Sequence, residues 1–400
     1  VLERTLGSPP PGAGALAEVG AWALALPHRD DRRARLTAFL FPTQGSSRRP
    51  AADRVVKLRR EGVAGPGLAA EGETLARLAR ELPEELAGTV PALLGSGRTP
   101  GRLPSPMPGG TPKGAGQAPA GWELLVLSAL PGRSAYVELQ GSFVPSRRAP
   151  GHLEAAVRWL EGFQQATARS GARWPLPPWE ELDPGPVEEA AAGGRRRDWH
   201  RRLEERLAAF PLAPVAVHGD FWARNLLAGR RTGIGAGSGP VTDPDTGGRG
   251  TGGLRRLPGV VDWEHFRPDG PPFQDLFTFT TTYALSFPWG GRRRPAPEAL
   301  ERAFLRESSL SRALRDAFRR YARAMGVDGE TLEGLFRVFL LERVRRGAGG
   351  AVPGAPGARG EAPGPSTKRS NGAPGSGPPR GAWLGLYRRL EGGERSVFSG

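Results

Sequence analysis

The sequence predicts an α+β fold in two lobes: a small N-terminal antiparallel β lobe carrying one helix, and a larger, mainly helical C-terminal lobe. Three observations predict it. Short apolar runs with strand character are concentrated before residue 130. A single stripe of leucines at helical spacing interrupts them, and beyond residue 150 the periodicity turns mainly helical.

Taken in order, Arg35 to Phe41 (RLTAFLF) is expected as a strand that stops at Pro42. A polar turn, Thr43-Gln44-Gly45-Ser46-Ser47, separates it from a second strand over Arg54 to Leu58 (RVVKL). Leu68, Leu75, Leu78 and Leu82 fall on one face of a helix. Trp122 to Leu127 (WELLVL) is a short buried strand running into Ser128-Ala129-Leu130-Pro131-Gly132. Leu153 to Arg169 and Arg197 to Phe210 are amphipathic helices, and Pro214 to Val217 is a short strand. Leu226–Ala228 and Gly259–Asp262 form the arms of a hairpin. Helices then follow around Phe277–Ser286, Pro297–Leu305, Ser311–Ala324, Thr331–Arg346 and Trp383–Leu390.

The lobes are expected at 1–130 and 131–400. Three Gly- and Pro-rich stretches, 96–120, 229–253 and 347–381, read as long loops or disorder, because none has enough apolar content to offset the entropy of ordering it. They hold many of the 59 Gly and 41 Pro and account for an apolar fraction of only 38%.

Composition removes several function classes. Cysteine is absent, which excludes disulfides, thiolate zinc sites and cysteine nucleophiles. No apolar run reaches the ~18 residues that span a bilayer, and no charged-then-apolar leader opens the chain, so the cytoplasm is the expected compartment. The net charge of +15 invites a nucleic-acid partner. Only three of the 56 basic residues are lysine, however (Lys57, Lys113 and Lys368). Arginine with Gly, Pro and Ala in such excess is the mark of GC-rich coding. The arginines are also scattered, with no aromatic-studded basic sheet or recognition helix, which argues against nucleic acid.

The chemistry is concentrated in two motifs. The first is His218-Gly219-Asp220-Phe221-Trp222-Ala223-Arg224-Asn225, a polar loop between apolar flanks that can turn Asp220 and Asn225 toward one centre. The second is Val260-Val261-Asp262-Trp263-Glu264, an apolar strand ending in a carboxylate. Paired as a hairpin, the two strands bring Asn225 and Asp262 together as hard oxygen ligands suited to Mg²⁺. Phosphoryl transfer needs such a metal site and a carboxylate that orients the attacking hydroxyl and accepts its proton, the role left for Asp220. Lys57, a rare lysine at the end of a strand, suits a phosphate-binding ammonium. Glu71 and Glu73 on the following helix are its candidate partners.

HGDFWARN followed by VVDWE and PPFQDL resembles the aminoglycoside phosphotransferase and choline kinase-like family of small-molecule kinases, over about Arg35 to Leu276. The resemblance implies a bilobal protein-kinase-like fold with ATP or GTP between the lobes. It implies Asp220 as catalytic base, Asn225 and Asp262 as Mg²⁺ ligands and Lys57 as the phosphate-binding lysine. Glu71 is the implied partner of Lys57, because Glu71, Leu75 and Leu78 match the family's helix. Ser128 to Leu130 would be the hinge that binds the nucleobase through backbone groups. Gly45 and Ser46 would lie in the turn over the phosphates. Asp275 and His218 are expected to be structural supports of the loop.

The function expected is transfer of a γ-phosphoryl group to the hydroxyl of a small molecule. Rival readings are a catalytically degenerate nucleotide-binding or scaffold protein, a metal-dependent phosphohydrolase built on His218, Asp220 and Asp262, and a basic nucleic-acid binder. The phosphohydrolase would need more His and Asp ligands than the chain supplies and leaves Lys57 unused. The Arg-rich C-terminal region tilts the acceptor toward a neutral or anionic metabolite and away from a polycationic antibiotic.

Overall fold

A computed structural model of the chain describes residues 19–25, 35–42, 52–61, 67–99, 121–140, 145–182, 190–229, 257–289, 291–346 and 380–398. The N-terminal part is one antiparallel sheet of five strands: β1 (Val19–Ala25), β2 (Arg35–Pro42), β3 (Arg54–Arg60), β4 (Leu93–Thr99) and β5 (Trp122–Ser128), in the order β1-β2-β3-β5-β4. Helix α1 (Leu68–Glu81) crosses it, and the four-residue α2 (Glu84–Ala87) follows.

Strand alternation decides what each face of this sheet does. Val56 and Leu58 of β3 pack with Ala38, Leu40, Leu124 and Val126 in a small separate core. Val55 and Lys57 point to the opposite face, where Leu125 and Leu127 meet Leu68, Leu75 and Leu78 of α1. Gly72 lets α1 come this close, because a Cβ there would sit 3.1 Å from Leu125 Cδ1. The helix is thereby seated on the same face of the sheet as the one lysine of β3.

The C-terminal part is mainly helical: α3 (Ala135–Gln140), α4 (Pro145–Thr167), α5 (Trp179–Leu182), α6 (Ala190–Ala209), α7 (Gln274–Ser286), α8 (Ala296–Phe304), α9 (Ser309–Ala324), α10 (Gly329–Arg346) and α11 (Arg380–Glu391). Two small sheets sit among these helices. β6 (Arg133–Ser134), β8 (Leu226–Ala228) and β9 (Gly259–Val260) make one; β7 (Val215–Val217) and β10 (Arg267–Gly270) make the other. All their pairings are antiparallel.

One continuous core joins the leucines of α1 to aromatic side chains of the helical part. Trp159 stacks on Phe163 at 4.8 Å and on Phe221 at 5.4 Å, and Trp263 packs against Phe163 at 5.6 Å. Helix α7 is buried nearly all round, so its polar residues have no wet face. Thr280, Thr281, Thr282 and Ser286 solve this by donating their hydroxyls to carbonyls one turn back.

Three expectations need correction. The Gly-rich stretch 96–120 begins inside β4, since residues 96–99 complete that strand against β5. Gly95 and Gly97 hid it by removing the alternation that marks a strand. At the other end of the chain, residues 380–381 of the stretch 347–381 already belong to α11. β9 stops at Val260, two residues before Asp262, which takes a left-handed φ of 70°. The remaining residues of the three stretches lie outside the described ones. β1, α3 and β10 were not anticipated: α3 and β10 are short, and the alanines and glycine of β1 blur its alternation.

Candidate active site

The structure brings five of the expected residues into one line of contacts. Lys57 Nζ donates to Glu71 Oε1 at 2.7 Å and to Asp262 Oδ1 at 2.9 Å. It thereby ties sheet, helix and C-terminal part together. Glu71 is fully buried, and its Oε1 also accepts the backbone N–H of Trp263 at 3.3 Å. Glu73 is exposed, which settles the choice between the two glutamates: Glu71 pairs with Lys57. Burial opposes the lysine's charge, yet the carboxylates of Asp262 and Glu71 outweigh it and hold the pKa of Lys57 above its ordinary value.

Asp220 and Asn225 meet at the other end of this line. Asn225 Nδ2 donates to the Asp220 carboxylate at 3.0 Å and to the Asp220 carbonyl at 2.9 Å. The amide nitrogen is therefore committed to Asp220, which turns Oδ1 of Asn225 away from it. The backbone of Asn225 accepts from Val261 N–H at 2.9 Å, one residue before Asp262. Burial, and then the nearby charge of Asp262, push the pKa of Asp220 up, while His265 and the Asn225 hydrogen bond pull it down.

The loop that carries Asp220 is held from beneath by two side chains. Asp275, at the start of α7, accepts the N–H of His218 at 2.6 Å and that of Gly219 at 3.0 Å. His218 accepts the N–H of Asp220 through Nδ1 at 3.3 Å and donates from Nε2 to the Val261 carbonyl at 3.0 Å. These bonds fix the neutral tautomer protonated on Nε2. Burial lowers the pKa of His218 to about 4. It raises that of Asp275 to about 6, since the two backbone N–H bonds offset only part of the desolvation. Gly219 is required here: its φ is +81°, and a Cβ would lie 2.3 Å from the His265 carbonyl oxygen. Both His218 and Asp275 are the structural supports expected of them.

The remaining expected residues divide. Gly45 and Ser46 lie outside the described residues. Ser128 ends β5 with its N–H given to the Ala92 carbonyl at 2.9 Å and its hydroxyl accepting the Ala92 N–H at 2.8 Å. Ala129 gives its N–H to Asp53 at 2.8 Å. Sheet pairing has thus engaged the donors of Ser128 and Ala129, and Leu130 carries the next N–H. Leu130 packs over Gly259 of the β8–β9 hairpin, where a Cβ would meet its Cδ1 at 2.7 Å. Glu264 lies beside His265 at 3.2 Å.

Asn225 Oδ1 and the Asp262 carboxylate are a donor set that fits Mg²⁺. Both are hard oxygens, and two protein ligands leave positions for water and phosphate. Among the described residues, no three His, Cys, Asp or Glu side chains are grouped to hold a metal by themselves. Nor is any helix there long and apolar enough to cross a membrane.

Sequence reasoning missed a set of side chains around this centre. Arg224 lies over the rings of Tyr136 and Trp222, at 4.6 and 4.8 Å from their centroids. Arg343 of α10 donates to Thr278 at 2.8 Å, and its charge reaches Asp220. Arg224 was visible inside the motif. Tyr136, Thr278 and Arg343 have no sequence signal, because only the fold brings α3, α7 and α10 to the loop. Cavities of about 480 and 290 Å³ lie elsewhere, beside Phe318 and beside Trp199, and include none of these residues.

Residues 41–237 match the phosphotransferase enzyme family, which bears out the resemblance read from HGDFWARN. No curated protein matches the chain. Solved structures similar to it include a thermostable mutant of an aminoglycoside phosphotransferase, 12% identical, covering 83% of this chain and 89% of that one at a TM-score of 0.38. An amicoumacin kinase in complex with AMP-PNP and Ca²⁺ is 10% identical, with 94% and 89% covered and a TM-score of 0.42. An ethanolamine kinase of Plasmodium vivax is 8% identical, with 82% and 75% covered and a TM-score of 0.37. At these TM-scores the likenesses are too loose to equate individual site residues.

Proposed function

We propose, from the match of residues 41–237 to the phosphotransferase enzyme family, that this chain transfers the γ-phosphoryl group of ATP or GTP to a hydroxyl of a small molecule. The observation that carries the reading is the double ion pair of Lys57, at 2.7 Å to Glu71 and 2.9 Å to Asp262. A part-buried cation held by carboxylates from two parts of the fold is costly to assemble for stability alone. It is a natural arrangement where phosphate charge has to be met.

In this reading Asp220 orients the acceptor hydroxyl and takes its proton as the oxygen forms a bond to the γ-phosphorus and the bond to the β-phosphate oxygen breaks. Burial, and then the nearby Asp262, raise the pKa of Asp220, which makes it a better proton acceptor than an ordinary aspartate. Asn225 holds Asp220 in place through Nδ2. Asn225 Oδ1 and Asp262 would hold Mg²⁺, which neutralises phosphate charge when bound. Lys57 steadies the α- and β-phosphates, with Glu71 fixing its ammonium. The backbone of Leu130 is the nucleobase contact on the hinge, and the lobes divide at 130/131.

The degenerate-scaffold reading would call for loss of a catalytic group, and Asp220, Asn225, Asp262 and Lys57 are all present and in contact. The test is Mg²⁺-dependent thermal stabilisation by ATP and by GTP, in wild type and Asp262→Ala. A shift in the wild type that the variant loses is expected. Absence of any shift with either nucleotide would overturn the reading.

A further inference from the structure

Arg224 stands immediately before Asn225 and four residues after Asp220, so it borders the place where an acceptor must lie. Its guanidinium carbon lies over the rings of Tyr136 and Trp222, at 4.6 and 4.8 Å from the ring centroids. Two rings thus lie against the guanidinium, and its N–H groups are what can meet a ligand. Arg224 Nε is buried and makes no hydrogen bond, and neither does the neighbouring Trp222 Nε1. Buried donors of this kind are tolerated where an acceptor group arrives to meet them.

A second guanidinium approaches the same ring. Arg293 lies 5.6 Å from the centroid of Tyr136 and donates to its hydroxyl. Among the described residues, neither Arg224 nor Arg293 is paired with a carboxylate, whereas Arg294, Arg320 and Arg337 of the same helical part are. The acidic side chains nearest in sequence have other partners: Asp220 accepts from Asn225 Nδ2 at 3.0 Å, Glu298 faces Arg294 and Arg302 at 3.3 Å, and Glu138 beside Tyr136 faces His152 at 3.1 Å. Arg343 adds positive charge on the side of Asp220. A cationic acceptor would meet repulsion here, and a neutral one would leave the arginine edges unmet.

We propose that the acceptor carries an anionic group, a carboxylate or a phosphate monoester, which Arg224 and Arg293 hold beside Tyr136 while its hydroxyl faces Asp220. The proposal rests on the phosphotransferase reading. It makes these arginines determinants of acceptor choice and gives them no part in the proton transfer.

The test uses the whole chain with Mg²⁺ and a non-hydrolysable ATP analogue, reading the further rise in Tm on adding each member of two matched sets. One set is sorbitol, glucosamine, gluconate and glucose 6-phosphate. The other is glycerol, ethanolamine, glycerate and glycerol 3-phosphate. At least one anionic member should raise Tm by about 2 °C more than its neutral and cationic counterparts. That excess should vanish in Arg224→Gln and in Arg293→Gln, the second being an exposed position that does not threaten the fold. Comparing carboxylate with phosphate within each set tells which anion is preferred. Equal or larger shifts with the neutral or cationic members would overturn the proposal, as would an anionic preference that survives in both variants, or no shift with any anionic member. Loss of the nucleotide's own shift in Arg224→Gln would assign that arginine to the nucleotide instead. Absence of a nucleotide shift in the wild type would sink the phosphotransferase reading itself.

Discussion

Two carboxylate systems flank the same loop and are built in opposite ways. Around Lys57, the carboxylates of Glu71 and Asp262 face a cation, and the charges are gathered where the sheet meets the helical part. Beneath the loop, Asp275 serves the backbone, with the charge of Arg267 acting on it only after burial and the two N–H bonds. Its carboxylate is fully buried and holds two backbone N–H groups of His218 and Gly219. The first system gathers charge, which in the proposed function meets phosphate; the second sets the position of a backbone. A change in the first should therefore be felt in turnover and nucleotide binding, and a change in the second in stability.

The sharpest break in that comparison is Asp220→Ala. Turnover should fall by about 100- to 10,000-fold, the usual contribution of a general base, with nucleotide-dependent Tm shifts retained. A variant within threefold of wild type would remove Asp220 from the role. Asp275→Ala should instead show in denaturant unfolding. It leaves two buried N–H groups unmet at about 1–3 kcal/mol each, so a loss of roughly 2–5 kcal/mol is expected. A loss below about 1 kcal/mol would mean that the loop holds itself.

A third measurement follows stability against pH. His218 has a folded pKa of about 4, below its ordinary 6.5, so the unfolded chain binds more protons between these values and stability falls as pH falls through them. Asp275 has a folded pKa of about 6, above its ordinary 3.8, so the folded chain binds the extra proton and stability rises as pH falls through that window. The two slopes oppose each other between about pH 6 and 4. Asp275→Asn removes one of them. The variant should then lose up to about 1.4 kcal/mol per pH unit more than wild type on acidification over this range. Parallel profiles would show that the two groups do not titrate against each other.

The smallest effect separates two glutamates on one helix. Glu71→Gln should raise the nucleotide KM several-fold, because Lys57 loses one of its two charged partners. Glu73→Gln, at an exposed position, should change stability by less than about 0.5 kcal/mol and leave KM alone. Equal effects would dissolve the distinction.

Much of this site was legible because its residues come in short, dense runs. Asp220 and Asn225 lie in one loop, and Asp262 stands two residues beyond the partner arm of a hairpin whose strands do pair, Leu226 with Val260. Lys57 stood out by rarity and strand position. Glu71 could be narrowed to a pair by helical spacing, yet its burial against Lys57 emerged only when α1 was seated on the sheet. The strand at Leu93–Thr99 was hidden by two glycines, since a period of two cannot be read where side chains are missing. The turn at Gly45 and Ser46 lies outside the described residues and keeps the status of an expectation.

The sequence by itself determined the two-part α+β architecture and the loop that brings Asp220 to Asn225, for these depend on local periodicity and on residues a few positions apart. Tertiary structure alone decided which glutamate meets Lys57, how Asp275 clamps the loop, and that Tyr136, Arg224 and Arg293 converge. Those contacts join residues 14, 57 and 157 positions apart along the chain. Such distances carry no periodic signal, and packing of the helices against a shared core is what closes them.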